Sequence, residues 1–305
     1  ITKKYLIQKK YIKIVQTLQN FNFYIQMKKI IFIASYPKSG NTWARVLLSA
    51  LLNNKEGKFE FDDLKKIYMF SQLIYFKKLK NYKLDSNGNL DLDFTINNWL
   101  NAQNIINNET ADSRFFKTHS IRGVINGKYF TDSSVCAGFI YISRDPRDIV
   151  ISKAKYMSTS IDESINKLLY DEKVTVCPNR VVEFVNTWQN HVISWYSFKD
   201  VPRLIIKYED MLNDTGKIIE QIIDFVNKYT TYNITKNAEL ISNILTTTNF
   251  KKLQNMEKKE GFEESSPHSP FFRKGTSEQW KGELSTNQLN LIEKELNVPM
   301  KYLGY

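Results

Sequence analysis

Cysteine and histidine are scarce in this chain. Only Cys136 and Cys177, and His119, His191 and His268, are present. Two cysteines give no disulfide framework and no metal-ligand cluster, so neither a disulfide scaffold nor a bound metal is expected. No stretch reaches the roughly eighteen uninterrupted apolar residues of a membrane-spanning helix. Acidic residues are missing from the start: Lys3, Lys4, Lys9, Lys10, Lys13, Lys28 and Lys29 all precede the first acid, Glu56. The net charge is +11. That balance suits an anionic ligand, a nucleic acid or a membrane surface and does not choose among them. Residues 1–26 lack the apolar core and small-residue cleavage site of a secretory signal. Met27 stands directly before Lys28-Lys29 and an apolar run. We expect Met27 to be the natural start, 1–26 to be an N-terminal extension that is either non-native or poorly ordered, and 27–305 to be one domain. An amphipathic basic helix lying on a membrane, using Tyr5, Leu6, Tyr11, Ile12, Val15 and Leu18, is the alternative reading of the extension.

What the chain does have is room for one large core. It holds 305 residues, 42% of them hydrophobic, and its strand-like and helix-like segments alternate without a long linker. That pattern predicts an α/β domain. Its centre is the stretch Lys29 to Leu52. Ile30 to Ser35 is a short unbroken apolar run, as for a parallel strand covered on both faces. Ala44 to Leu52 carries leucines and alanines at helical spacing. Between them lies Tyr36-Pro37-Lys38-Ser39-Gly40-Asn41-Thr42-Trp43. A strand, a small-residue turn and a helix present free backbone N–H groups and a helix's positive end to an anion. Ser39 and Thr42 add hydroxyl donors, Lys38 adds a mobile charge, and Gly40 lets the backbone curl. This is a phosphate cradle.

The usual nucleoside-triphosphate loop has its lysine directly after the last glycine. Here Lys38 precedes Gly40, so that motif is not matched. The block instead resembles the phosphosulfate-binding loop of cytosolic-type sulfotransferases, Tyr-Pro-Lys-Ser-Gly-Thr-Thr-Trp, with only Asn41 departing. The resemblance implies a three-layer α/β/α fold with a central parallel sheet and a P-loop-like phosphosulfate-binding loop. It also implies an enzyme that moves a sulfuryl group from 3′-phosphoadenosine-5′-phosphosulfate (PAPS) to an acceptor hydroxyl or amine, with adenosine 3′,5′-bisphosphate (PAP) as the other product. No metal is required, because lysine and arginine already supply the positive charge.

Further along, Arg114 to Ser120 reads as a short strand running into a loop. Residues at the carboxyl ends of parallel strands face the ligand crevice, which puts His119 near the cradle. Lys117-Thr118-His119 resembles the segment carrying the family's catalytic base, so His119 is the expected base, with Lys117 assisting. His191 and His268 are read as structural. Gly138 to Ile142 is another buried strand, followed by Arg144 and a helix from about Arg147 to Met157. Arg144 and Ser152 can converge as a clamp for a phosphate dianion, and their spacing resembles the family's 3′-phosphate site. The resemblance also has Ser152 holding Lys38 aside until acceptor arrives.

Arg180 to Phe198 reads as a long helix, and Val201 to Met211 as a strand closed by Tyr208-Glu209-Asp210. Phe59 to Leu79 is expected to be helical, as are 214–228, 235–246 and Thr286 to Leu296. By resemblance Tyr208 faces the donor nucleotide, and Thr248 and Phe250 lie around adenine with Trp43 opposite. Arg273-Lys274-Gly275 matches the family's late phosphate loop, but Glu278 stands where a second glycine is usual, which puts the geometry of residues 277–279 in question. Asn255 to Ser269 is polar and expected to form a lid ordered by nucleotide.

Two other classes compete with this reading: a P-loop kinase using Mg·ATP, and a non-enzymatic basic protein that binds nucleic acid or membrane. Neither is preferred, and no nucleic-acid partner is expected. A cytoplasmic enzyme acting on a small-molecule or glycan acceptor is expected. The identity of that acceptor and the oligomeric state are not legible, because pocket-lining loops vary freely on a shared fold.

Overall fold

The computed structural model describes residues 28–53, 55–85, 88–171, 174–175, 180–267 and 269–305. The extension 1–26, Met27, Cys177 and His268 lie outside them. Five parallel strands form the central sheet: β1 (Ile30–Ser35), β2 (Tyr68–Met69), β3 (Arg114–Thr118), β4 (Cys136–Ser143) and β5 (Arg203–Lys207), in the spatial order β2-β3-β1-β4-β5. β1 is central, pairing Ala34 with Thr118 on one side and with Tyr141 on the other. All six of its residues are buried. Its alternate side chains enter two cores, as the two-residue period of a strand requires.

Ile30, Phe32 and Ala34 face one core, which is closed by helices Leu92–Asn108, Pro146–Met157, Ile161–Leu169 and Trp188–Tyr196. Ile31 and Ile33 face the other, closed by helices Asn41–Asn53, Thr215–Tyr229 and Ala238–Thr247. Helix, sheet and helix make the three layers expected, and the helices anticipated near 214–228, 235–246 and 286–296 are present.

Three segments differ from the expected pattern. Phe59 to Leu79 is not a helix. It forms a 3₁₀ turn at Phe61–Lys66, then the short edge strand β2, then turns. Tyr68 pairs with Phe116, and the Phe70 N–H donates to the Lys117 carbonyl at 3.0 Å. Sheet pairing therefore overrides the helical spacing. The helix expected from Arg180 begins only at Trp188, after a short antiparallel pairing of Glu183–Phe184 with Val174–Thr175. Asn186 sits at φ +60° and breaks the run, and the Thr187 side chain caps the helix beyond it by accepting from the Asn190 N–H. The apolar residues Val181, Val185, Trp188, Val192 and Trp195 are core all the same. Finally, the strand expected over 201–211 ends at Lys207, and Tyr208–Asn213 is helical.

Phe32 is fully buried, and its ring meets Phe70 and Phe130 at 5.5 Å and Trp195 at 6.0 Å. Truncating a ring so enclosed leaves a cavity, so Phe32→Ala should cost about 3–5 kcal/mol. Chemical denaturation should show the loss as an earlier midpoint at unchanged slope.

Candidate active site

The carboxyl ends of β1, β3, β4 and β5 lie side by side on one edge of the sheet. Each delivers one part of the site directly afterwards: residues 36–40, His119, Arg144 and Tyr208. The turn after β1 is tight. Lys38 takes φ +70° and Gly40 φ +99°. A Cβ at Gly40 would sit 2.5 Å from Cδ2 of Tyr208, so only glycine fits between the helix start and that ring. The helix Asn41–Asn53 opens immediately, with its first N–H groups turned toward the turn. Asn41 Nδ2 donates to the Ile33 carbonyl at 3.0 Å, tying the helix start to β1. The Ser39 hydroxyl and Asn41 Oδ1 are buried without a hydrogen-bond partner.

Lys38 is half-buried, and the loss of hydration lowers its pKa to about 7. The negative charge of Glu264 opposes that fall, and Arg144, Lys117 and Arg273 deepen it. Its ammonium lies 3.9 Å from the centre of the Tyr156 ring and 4.4 Å from that of Phe271. The expected hold of Ser152 on Lys38 is therefore replaced by two aromatic faces. Among the described residues no hydrogen bond joins Lys38 and Ser152.

His119 is oriented from behind. Its Nδ1–H donates to the Ser35 carbonyl at 2.8 Å, which leaves Nε2 as the unprotonated nitrogen. The His119 N–H donates to Glu183 Oε1 at 2.8 Å. Its carbonyl accepts from His191 Nε2–H at 3.1 Å, so His191 Nδ1 is left to accept from the Tyr141 hydroxyl at 2.9 Å. His191 is thus a buried structural histidine, as expected, and it sets the backbone that carries His119. Burial lowers both rings to about 3; the Lys117 charge adds to the effect at His119.

Arg144 is 5% exposed and braces two loops, donating to the Lys38 carbonyl at 3.2 Å and to the Thr276 carbonyl at 3.1 Å. Its Nε is buried without a partner, and its guanidinium lies 4.2 Å over the Tyr208 ring. Asp148, one helical turn on, accepts from the N–H groups of Glu278 (2.8 Å) and Trp280 (3.2 Å). Those bonds hold Glu278 at φ +59°, the left-handed conformation that glycine favours. The late loop thus keeps a glycine-like turn despite the side chain. Arg273 donates to Gln279 Oε1 at 2.7 Å. Lys274 is half-exposed and turned to Glu283 at 3.1 Å, away from the buried cluster.

Trp43 packs edge-on to Tyr208 at 6.0 Å and donates to the Thr248 carbonyl at 3.3 Å. The Thr248 hydroxyl is spent on its own helix, donating to the Ile244 carbonyl at 2.7 Å. Gly275, at φ +65°, lies so close to the Phe250 ring that a Cβ would approach within 2.3 Å. Trp43 with Tyr208, and Phe250 with Gly275, therefore form two close-packed pairs.

Sequence reasoning missed Arg45, Tyr156, Glu183 and Glu264. Arg45 carried a usable signal: a lone charge inside the apolar stripe of a buried helix, where it is 2% exposed. Glu264 carried none, sitting in a polar stretch beside Glu263. The expected lid also needs correcting. Phe250–Glu260 is a helix, and the loop after it reaches the cradle through Glu264.

Residues 28–303 match the family model of the sulfotransferase domain. The chain belongs to the sulfotransferase family. It is 25% identical over 273 residues to luciferin sulfotransferase of Photinus pyralis, covering 84% of this chain and 67% of that protein. It is 24% identical over 285 residues to human sulfotransferase 1E1, covering 89% and 83%. Among solved structures, retinol dehydratase with androsterone and the inactive cofactor PAP aligns with a TM-score of 0.60 at 22% identity, over 90% of this chain and 81% of that one. Mouse SULT7A1 with PAP gives 0.56 at 18% identity, over 89% and 84%. The fold of this sulfotransferase is therefore the fold of its family, with the cradle at the carboxyl edge of the sheet.

Two neutral histidines, one buried and one half-buried, should make this sulfotransferase acid-sensitive. The unfolded chain protonates them near 6.5, whereas the folded state resists until about 3, so stability falls as pH drops through that window. His191, fully buried, dominates, and half-buried His119 contributes less. Melting temperature should decline from pH 7 to pH 5, and His191→Phe, less stable at pH 7, should show a flatter profile.

Proposed function

We propose that the chain transfers a sulfuryl group from PAPS to an acceptor hydroxyl or amine, giving PAP and a sulfated product. One observation carries this reading: an imidazole pinned through Nδ1, which leaves Nε2 free, on a ring within reach of the charges of Lys117 and Glu264. The buried, unpartnered Ser39 hydroxyl, Asn41 Oδ1 and Arg144 Nε fit a polar ligand that brings both donors and acceptors. Ser39, Gly40, Asn41, Thr42 and Lys38 would hold its 5′ end. Arg144 and Ser152, with the Arg273-Lys274-Gly275 loop, would hold its 3′-phosphate, Lys274 swinging away from Glu283. Trp43, Tyr208, Thr248 and Phe250 would flank the base. PAPS supplies a sulfuryl group already activated by its bond to phosphate.

The chain's own part is electrostatic and acid–base. His119 Nε2 takes the acceptor's proton as its oxygen or nitrogen bonds to sulfur, a contribution of roughly 10²–10⁴ in rate. Neutral at rest, the ring gains its proton more readily once negative charge sits beside it. Lys38, Lys117 and the N–H groups at the start of helix Asn41–Asn53 meet the charge that builds on the leaving phosphate, each key donor being worth roughly 3–4 kcal/mol. A small-molecule acceptor is supported by relatives named for luciferin, flavonol and hydroxysteroid. The expected cytoplasmic location draws support from a relative named cytosolic sulfotransferase 14. Among the described residues, no helix is long and apolar enough to cross a membrane.

PAP, and not Mg·ATP, should raise the melting temperature. His119→Ala should retain PAP affinity while losing at least about 10²-fold in turnover with labelled PAPS. Lys38→Ala and Arg144→Ala should each weaken PAP binding. No stabilisation by PAP in well-folded protein would sink the assignment. An anion beside Lys38 raises its pKa from about 7, so binding at pH 8 takes up a proton. Calorimetric heats should accordingly vary with the ionisation enthalpy of the buffer.

A further inference from the structure

The cations of the cradle already have an anion. Glu264 Oε2 accepts from the Thr42 hydroxyl at 2.9 Å and from the Lys117 ammonium at 3.2 Å, while Oε1 meets Arg45 Nη1 at 2.5 Å. The carboxyl is largely buried. Burial pushes its pKa up, but the Lys117 and Arg45 charges outweigh that and hold it far below the usual carboxylate range. Its charge also reaches Lys38 and His119. A hydroxyl on the first turn of a helix, an ammonium and a guanidinium around one carboxylate form the donor set of a phosphate site.

The residue comes to this place from outside the sheet. It lies in the loop after helix Phe250–Glu260, beside the exposed Glu263, and its backbone carbonyl accepts from the Tyr156 hydroxyl at 3.0 Å. The partner least expected there is Arg45, a buried guanidinium on the helix Asn41–Asn53 whose Nε has no partner. Buried ion pairs give little net stability, so packing alone accounts poorly for this one.

We propose that Glu264 is an internal stand-in for the anionic 5′ end of the donor nucleotide, and that Arg45 is a donor-binding residue which Glu264 keeps paired until the donor displaces it. The inference rests on the donor-site reading above. The phosphate or phosphosulfate takes over Thr42, Lys117 and Arg45, and Glu264 leaves with its loop. The charge of the site then stays balanced with or without nucleotide. The cost is affinity, because nucleotide binds only the fraction of molecules in which Glu264 has withdrawn.

The test is calorimetry with PAP on the full chain. Glu264→Gln keeps the shape but removes the competing charge, and should bind PAP about tenfold tighter or more than the wild type. Unchanged or weaker binding by Glu264→Gln overturns the stand-in. Hydrogen exchange supplies an independent readout: PAP should expose the backbone amides of residues 262–266 in the wild type, and added protection there counts against the idea. Arg45→Leu combined with Glu264→Leu removes the ion pair as a unit. It should bind PAP about tenfold more weakly than Glu264→Gln, a two-charge guanidinium–phosphate contact having been lost, and equal affinity overturns the role of Arg45. If wild type and both variants melt cooperatively yet none binds PAP, the donor-site reading itself fails and this inference with it. Wild-type binding with no gain in Glu264→Gln instead refutes this inference alone.

Discussion

Everything in the site depends on parallel pairing of β1 between β3 and β4. Parallel strands share a direction, so their carboxyl ends finish on one edge of the sheet, and the residues after each strand are brought to that edge. The turn with Lys38, the imidazole of His119, the guanidinium of Arg144 and the ring of Tyr208 are far apart in the chain and neighbours in space for this one reason. Two cores, one on each face, make the pairing obligatory: shifting β1 by a residue would exchange Phe32 and Ile33 between layers of different shape.

Bringing so many cations together has an electrostatic consequence. Lys38, Lys117, Arg45, Arg144 and Arg273 crowd a partly dehydrated space; lost hydration lowers the pKa of Lys38 first, and the charges of Arg144, Lys117 and Arg273 lower it further. The molecule relieves this crowding in three ways. Arg144 spends its donors on two carbonyls and stacks on Tyr208. Lys38 rests on the faces of Tyr156 and Phe271. Glu264 supplies a carboxylate that touches both Arg45 and Lys117. All three arrangements are non-covalent.

The rest of the site is built for orientation. His119 gains its tautomer from a main-chain carbonyl and its position from Glu183 and from His191, itself held by Tyr141. Asp148 does comparable work for the late loop, holding Glu278 in a conformation that a glycine would take unaided. Glu183 and Asp148 therefore serve here as anchors for backbone N–H groups.

The main buried strands, the turn after the first of them and the residues just past each strand could be read from the chain, because each depends on local rules: apolar runs, a small-residue turn, a histidine at a strand's end. Tertiary pairing decided the rest. Phe59 to Leu79 has helical spacing but lies at an open sheet edge, where pairing with β3 outcompetes a helix. The run from Arg180 is interrupted by Asn186 in a left-handed conformation that spacing does not reveal. Glu264 looks like any surface acid until a loop carries it to Arg45, more than two hundred positions away. Charges separated by that much chain interact only after folding sets their distance, and no local pattern records it.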